Sequence, residues 1–322
     1  MMLSETPAVQ AEKGETPVVV KPPVMVACDG DCLQDSLFSA ARKVSSAMSA
    51  SIEVVGVCPP TAELAVGFDM IPAPRELDES RRAAMHDDVR RAVSSAPAGD
   101  TRWPVQIVIG SPARTIAAEA ARRHAAMLVM GIGRHNPLDR LFGAEITLAT
   151  LRESEVPVLA VAGTFMGPSH VVVGMDFSEC SIRSAQLALQ LLEGRGKLTL
   201  LHARPRLESG SHQSQEWDAA YGRGLPPLFE SVLGRLTIPP QVSVETTSVR
   251  GEPASSLLSY TQQVDADMIA MGTQRHGLIE RLLVGSVATR VLRTARCSVL
   301  AVTGRAATAM SGELTQRQSD AA

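Results

Sequence analysis

The sequence predicts an α/β fold made of two tandem copies of a five-stranded, parallel, doubly wound sheet. The first observation is a repeat. Met130-Gly131-Ile132-Gly133-Arg134-His135 returns as Met271-Gly272-Thr273-Gln274-Arg275-His276, with the two leading glycines 141 residues apart. That spacing is the size of a domain and too long for a solenoid unit. The second is the matching close of each copy, Val156-Pro157-Val158-Leu159-Ala160-Val161 and Cys297-Ser298-Val299-Leu300-Ala301-Val302. The third is the alternation of short apolar runs with helical stretches of roughly 10–20 residues, the pattern of a parallel sheet. Met127-Leu128-Val129-Met130 has no polar face, as expected of a strand covered on both sides.

In the first copy, Pro22-Pro23 introduces a strand over 24–28, ended by Asp29-Gly30-Asp31. A helix follows from Cys32 to about Ser49, with Leu33, Leu37, Ala40, Ala41 and Val44 on one stripe. Ile52 to Val57 is the next strand, stopped by Pro59-Pro60, and residues 60–75 read as loop. Glu76 to Ser94 is charged and helix-prone, and Val105 to Ile109 is a strand. Gly110-Ser111-Pro112 opens a helix to about His124, with Ser111 placed to cap it and Pro112 suited to its first turn. The strand at 127–130, the glycine turn, a helix from about Glu145 and the closing strand complete the copy.

The second copy keeps this order. Val171 to Gly174 is a strand ending at Met175-Asp176, and Ser178 can cap a helix over 180–193. Lys197 to Ala203 is a strand. A helix over 214–236 is expected to break near Gly222 to Pro227. Val242 to Val249 is a strand, and Gly251-Glu252-Pro253 opens a helix to about Val264 in the manner of Gly110-Ser111-Pro112. A strand at 267–271, the second glycine turn, a helix from about Ser286 and the last strand follow. The two domains are placed at 23–164 and 168–305, between polar tails at 1–22 and 306–322 that read as disordered.

Composition narrows the function classes. A net charge of −3 without a long basic stripe argues against a nucleic-acid surface. No apolar run approaches the length of a membrane span, and no basic segment followed by an apolar core marks export, so a cytoplasmic protein without a membrane partner is expected. Five cysteines in irregular spacing read as reduced thiols. Cys28 and Cys32 form the one close pair, too few ligands for a metal site and better read as small apolar filler.

In a doubly wound sheet, ligands sit beyond the carboxyl ends of strands where the winding reverses. Gly272 follows such a strand, and Gly285-Ser286 stands at the mouth of a helix, where unpaired N–H groups and the positive helix end favour an anion. A phosphate seat and a tight loop with a serine cap both fit these residues. Asp176, like Asp29 in the first copy, can accept from a ligand amine or hydroxyl, or can hold the turn before its helix. Arg275 can pair with phosphate or with a carboxylate such as Glu280. His276 is the nearest acid–base candidate, and no catalytic triad, metal-ligand spacing or Walker pattern is present.

These residues resemble the universal stress protein family in its tandem two-domain form, over nearly everything between about 23 and 304. The second copy carries most of the likeness, through 171–178, Leu200-Leu201-His202-Ala203, Gly251-Glu252-Pro253, and Met271-Gly272 to Gly285-Ser286-Val287. The family's nucleotide-binding members show Gly, two residues, Gly, nine residues, then Gly followed by Ser or Thr. Gly272, Gly285 and Ser286 match that pattern; Arg275 replaces the middle glycine.

The resemblance implies a Rossmann-like, adenine nucleotide alpha hydrolase-like fold whose last strands pair as an internal pseudo-dimer, with a further homodimer compatible. It implies ATP or another adenine nucleotide as ligand, with Mg2+ accompanying ATP, and an unidentified protein partner. Asp176, His202 and Ala203 are implied on the adenine side, with Met271, Gly272, Arg275, Gly285, Ser286 and Val287 around ribose and phosphates. Arg275 either blocks that channel or clamps a phosphate. In the first copy Arg134 takes the middle position, Ala144 the third with Gly143 one residue early, and Glu145 replaces the hydroxyl. A carboxylate there is expected to repel polyphosphate, leaving the first copy a degenerate site. Stress-response nucleotide binding or sensing is the leading expectation; the alternatives are a nucleotide-free interaction module and a slow ATPase.

Overall fold

The computed structural model describes residues 21–29, 34–61, 75–132, 137–205, 212–273 and 285–308. The first half runs β1 (Val24–Ala27), α1 (Gln34–Met48), β2 (Ile52–Cys58), α2 (Arg75–Ser95), β3 (Val105–Ile109), α3 (Pro112–Arg122), β4 (Met127–Gly131), α4 (Pro137–Glu153) and β5 (Val158–Val161). The second runs β6 (His170–Gly174), α5 (Glu179–Leu191), β7 (Arg195–Arg204), α6 (His212–Leu233), β8 (Gln241–Arg250), α7 (Pro253–Gln263), β9 (Met268–Gly272), α8 (Ser286–Thr294) and β10 (Ser298–Val302).

Among the described residues, ten strands form one sheet in the order β3-β2-β1-β4-β5-β10-β9-β6-β7-β8. Within each half the pairing is parallel, and the winding reverses between β1 and β4 and between β6 and β9. The halves join where β5 and β10 pair antiparallel, with Val299 opposite Ala160, Leu300 opposite Leu159 and Ala301 opposite Val158. Leu159 and Leu300 are themselves repeat equivalents, so a local two-fold axis passes between them. The two apolar edges that invited association satisfy each other inside one chain.

Side chains alternate across the strands and divide the core into two layers. Val24 and Val26 face one layer, with α1, α2, α5 and α6; Met25 faces the other, with α3, α4, α7 and α8. Val24, Met127, Val129, Val171, Val173 and Met268 are fully buried. Each such side chain contributes about 1.5–3 kcal/mol relative to exposure, which is why short β-branched runs suffice to set the central strands.

Three local readings are corrected. α6 is one continuous helix carrying Pro226 and Pro227 within it. Leu225, Phe229 and Val232 recur at helical spacing and are all buried, and that burial carries the helix across the two missing N–H donors. α4 begins at Pro137 and not near Glu145, because proline suits a first turn and the buried stripe Ala144, Leu148 and Leu151 belongs to a helix already under way. Ser111 stands at the N-cap of α3 without a side-chain cap bond, whereas Ser178 caps α5 by accepting from Ser181 N.

Beyond β10 the chain makes a helical turn over 304–308 that buries Ala306 and Ala307, with Ala306 N donating to Thr303 Oγ1. Among the described residues no helix is long and apolar enough to cross a membrane.

Candidate functional site

At the carboxyl ends of β6 and β9 lies a cavity of about 280 Å3. Asp176, His202, Ala203, Met271, Gly272, Gly285, Ser286 and Val287 all line it. Residues that are distant in sequence meet there because the winding reverses between these two strands. Arg275 and His276 lie outside the described residues, as does the question of whether Arg275 blocks or clamps; Arg134 and His135 of the first copy do so as well.

The floor is the turn after β6. Asp176 Oδ1 accepts from Ser178 N at 3.0 Å and from Ser178 Oγ at 2.6 Å. The turn-holding role of this aspartate is therefore realised, on the rim of the cavity. Phe177 between them is held in the left-handed region at φ 62°. That conformation costs a non-glycine residue about 1–3 kcal/mol and persists because its surroundings hold it. The Phe177 ring packs 4.9 Å from His202 and 5.2 Å from Phe229.

His202 is buried, and both ring nitrogens are engaged. Nδ1 lies 2.7 Å from the Met175 carbonyl, which can only accept, so Nδ1 donates to it. Nε2 is hydrogen-bonded with the Tyr221 hydroxyl at 2.8 Å. Tyr221 stacks in turn on Trp217, 4.9 Å away. The His202 ring is part of the wall, held by its own protein. Sequence reading found His202 and missed its supports; Phe177, next to Asp176, was the legible one, while Tyr221 sits on a helix with no local signal of the contact.

The start of α8 forms another side of the cavity. Gly285 is its N-cap and, having no side chain, makes no cap bond. The first N–H groups of a helix have no partner within it, and among the described residues no side chain caps them. Neighbouring α7 differs: Glu252 caps it, accepting from Ala254 N at 3.0 Å and Ser255 N at 2.8 Å. Arg290 of α8 donates to the same carboxylate at 2.9 Å.

Gly272 has a packing cause besides the one expected. A Cβ there would stand 2.7 Å from Cys180 Cβ and 2.8 Å from Ser181 N. A close approach to the first turn of α5 demands glycine here, at a position that also lines the cavity. Gly131, its repeat equivalent, has none of the described residues within 4 Å of the same position. Cys180 is correspondingly enclosed: burial, then the nearby Asp176 and Glu179 carboxylates, push its thiol up to about 11. A thiol held neutral in this way is inert filler.

The first half has its own cavity at β1 and β4, lined by Asp29, Gly131 and Thr147 among others. No helix starts at the position matching Ser286, because α4 is already formed when it reaches Glu145. Glu145 is also absent from that cavity's lining; it pairs with Arg293 of α8. The expectation that its carboxylate repels a ligand in the first cavity is thereby corrected. Cys32 lies outside the described residues, and among those described no three His, Cys, Asp or Glu side chains cluster as metal ligands.

Comparison with known proteins adds the lineage. The profile of the "Universal stress protein family" matches residues 22–162 and again 168–303. A universal stress protein of Methanocaldococcus jannaschii, MJ0531, is 41% identical over 61 residues, which is 19% of this chain and 36% of that protein. Universal stress protein Rv2623 of Mycobacterium tuberculosis is 26% identical over 185 residues, or 55% of this chain and 61% of the relative. The aligned segments thus span about a third to three fifths of these relatives. The crystal structure of a universal stress protein from Archaeoglobus fulgidus superposes with a TM-score of 0.59 at 18% identity, covering 87% of this chain and 96% of that one. The repeat, the strand order and these matches over both halves agree: the chain belongs to the universal stress protein family, as a tandem of two such segments.

Proposed function

We propose that the second domain binds an adenine nucleotide, ATP or AMP, and that the protein serves a stress response by binding or sensing it, without dedicated turnover. The observation that carries the reading is the uncapped start of α8 at Gly285, opening into the same cavity as Asp176 and His202. An anion at that end meets N–H donors and the positive helix terminus, at a gain of about 0.3–1 kcal/mol from the dipole alone at an exposed site. Ser286 adds a hydroxyl donor. The apolar part of the lining, Met175, Leu201 and Leu257, suits a flat ring, and the rim carboxylate of Asp176 suits its amine or the ribose hydroxyls.

These residues offer no carboxylate cluster of their own for Mg2+. The ion would enter with the triphosphate, held through its oxygens and water. The reading keeps the protein cytoplasmic and leaves its protein partner and any homodimer to experiment.

Nucleotide released by heat from the purified full-length protein, identified by mass spectrometry, tests this directly. Stoichiometric ATP or AMP is the expected result. An empty protein whose melting temperature ignores millimolar ATP would replace this reading with that of a nucleotide-free interaction module.

A further inference from the structure

α6 consists of two unlike parts. Gly222, Gly224, Pro226 and Pro227 stand together in its middle. A proline donates no N–H, so Pro226 and Pro227 leave the Gly222 and Arg223 carbonyls without their helical partners, and the two glycines add backbone freedom at the same place. Beyond this joint the helix is pinned by the core, through the buried Leu225, Phe229 and Val232. Before it lies an arm of another kind: Glu216, Trp217, Ala219 and Ala220 are all exposed.

Among the described residues, two side chains fasten this arm to the sheet. Asp218 joins two arginines at the carboxyl ends of β7 and β8. Its Oδ1 accepts from Arg204 Nη1 at 3.3 Å and from Arg250 Nε at 3.1 Å, and its Oδ2 accepts from Arg250 Nη2. Tyr221 is half-buried, with its hydroxyl on His202 Nε2 and its ring 5.9 Å from the His202 ring. The latch is weak by construction. Arg250 is 60% exposed, so its pair with Asp218 is screened by salt. Arg204 Nε is buried with no hydrogen-bond partner, a cost that the latched state bears and that hydration on opening removes.

His202 ties the arm to the site, because it also lines the second-domain cavity. At about 280 Å3 that cavity lies just below the roughly 300–1,000 Å3 of most ligand pockets, so a nucleotide enters more readily when a wall yields. We infer that the part of α6 before Gly222 is a hinged flap. It comes away as a unit at residues 222–227, Asp218 latches it, and its opening frees His202 and sets how fast a ligand enters and leaves the second-domain cavity. Asp218 is thus a positioning residue, acting on the site through Tyr221 and His202. The flap rests on the nucleotide reading for its ligand, not for its motion.

Amide exchange and nucleotide kinetics on the full-length protein test it. An arm of about ten residues cut loose from its contacts is too short to stay helical, so opening exposes its amides. Asp218→Asn weakens the latch. Gly222→Ala with Gly224→Ala stiffens the joint, and neither added methyl meets a described atom closer than 3.5 Å. Exchange at 216–221 should speed about ten-fold in Asp218→Asn and slow about five-fold in the double variant, with 228–233 unchanged in both. A fluorescent ATP analogue, followed by stopped flow, should enter and leave Asp218→Asn about five-fold faster, and the double variant more slowly than wild type.

Exchange at 216–221 that ignores both variants, or that moves together with 228–233, overturns the flap. Release that quickens while entry stays at the wild-type rate is the mark of a merely structural Asp218 and overturns the gate, as do equal rates in all three proteins. A protein that takes up no nucleotide yet shows the opposed exchange shifts upholds the flap and ends the nucleotide reading of the site.

Discussion

Glu145 of α4 accepts two hydrogen bonds from Arg293 of α8 across the join between the halves, at 2.8 Å from Nε and 2.5 Å from Nη2. Glu145 is the repeat equivalent of Ser286, the residue that opens α8 in the second half. At one and the same position, the first half ties the halves together and the second half presents a helix mouth. The divergence begins upstream, where α4 starts at Pro137 and so places position 145 in mid-helix.

It follows that Glu145→Ser will not confer ATP binding on the first domain, because the substitution restores a hydroxyl without restoring unpaired N–H groups around it. The pair is about half exposed on both sides. Its loss should therefore cost under about 1 kcal/mol in denaturant unfolding. A second ATP equivalent in the calorimetry of Glu145→Ser would show that the carboxylate alone had closed that site.

Gly272 and Gly131 should part company under the same substitution. Gly272→Ala drives a methyl into the Cys180–Ser181 backbone and should destabilise by about 1–3 kcal/mol. Gly131→Ala meets no described residue within 4 Å and should stay within about 0.5 kcal/mol of the parent. Equal melting temperatures for the two variants would contradict the packing role assigned to Gly272.

Asp267 gives the fold a pH dependence. Burial works against its charge, but hydrogen bonds from Ser169 Oγ at 2.5 Å, His170 N at 2.8 Å and Ser169 N at 2.7 Å outweigh it and hold the carboxyl below the usual range. A carboxyl depressed on folding adds stability that is fully present above its unfolded pKa, about 4, and is lost as pH falls through the folded value. Asp267→Asn should cost about 1–3 kcal/mol at pH 7, and the gap to wild type should narrow in urea titrations below about pH 4. A gap that stays constant down to pH 2 would contradict this account.

The strands and the repeat were legible because a strand covered on both faces must be apolar along its length, and the sequence repeats that constraint at 141 residues. Most residues of the candidate site were legible because each follows a strand or opens a helix. What local pattern could not supply were the long-range causes. The glycine at 272 answers to the first turn of α5, far away in the chain, and the helix over Pro226 and Pro227 persists through burial of Leu225 and Phe229. The role of His202 as a fixed wall depends on Tyr221 from another element. The helix read from about Glu145 in fact starts at Pro137, a residue suited to a first turn.

The central claim is that the uncapped start of α8 is an anion seat. Gly285 has φ −61° and ψ 158°, a conformation open to any residue, and aspartate is among the best N-caps. Gly285→Asp should therefore raise the melting temperature while its carboxylate occupies the N–H groups that a phosphate needs. Calorimetric titration of ATP into wild type and Gly285→Asp is the direct measurement. Binding of one ATP per wild-type chain, abolished in the more stable variant, is the predicted result; ATP binding of equal affinity in both proteins would contradict it.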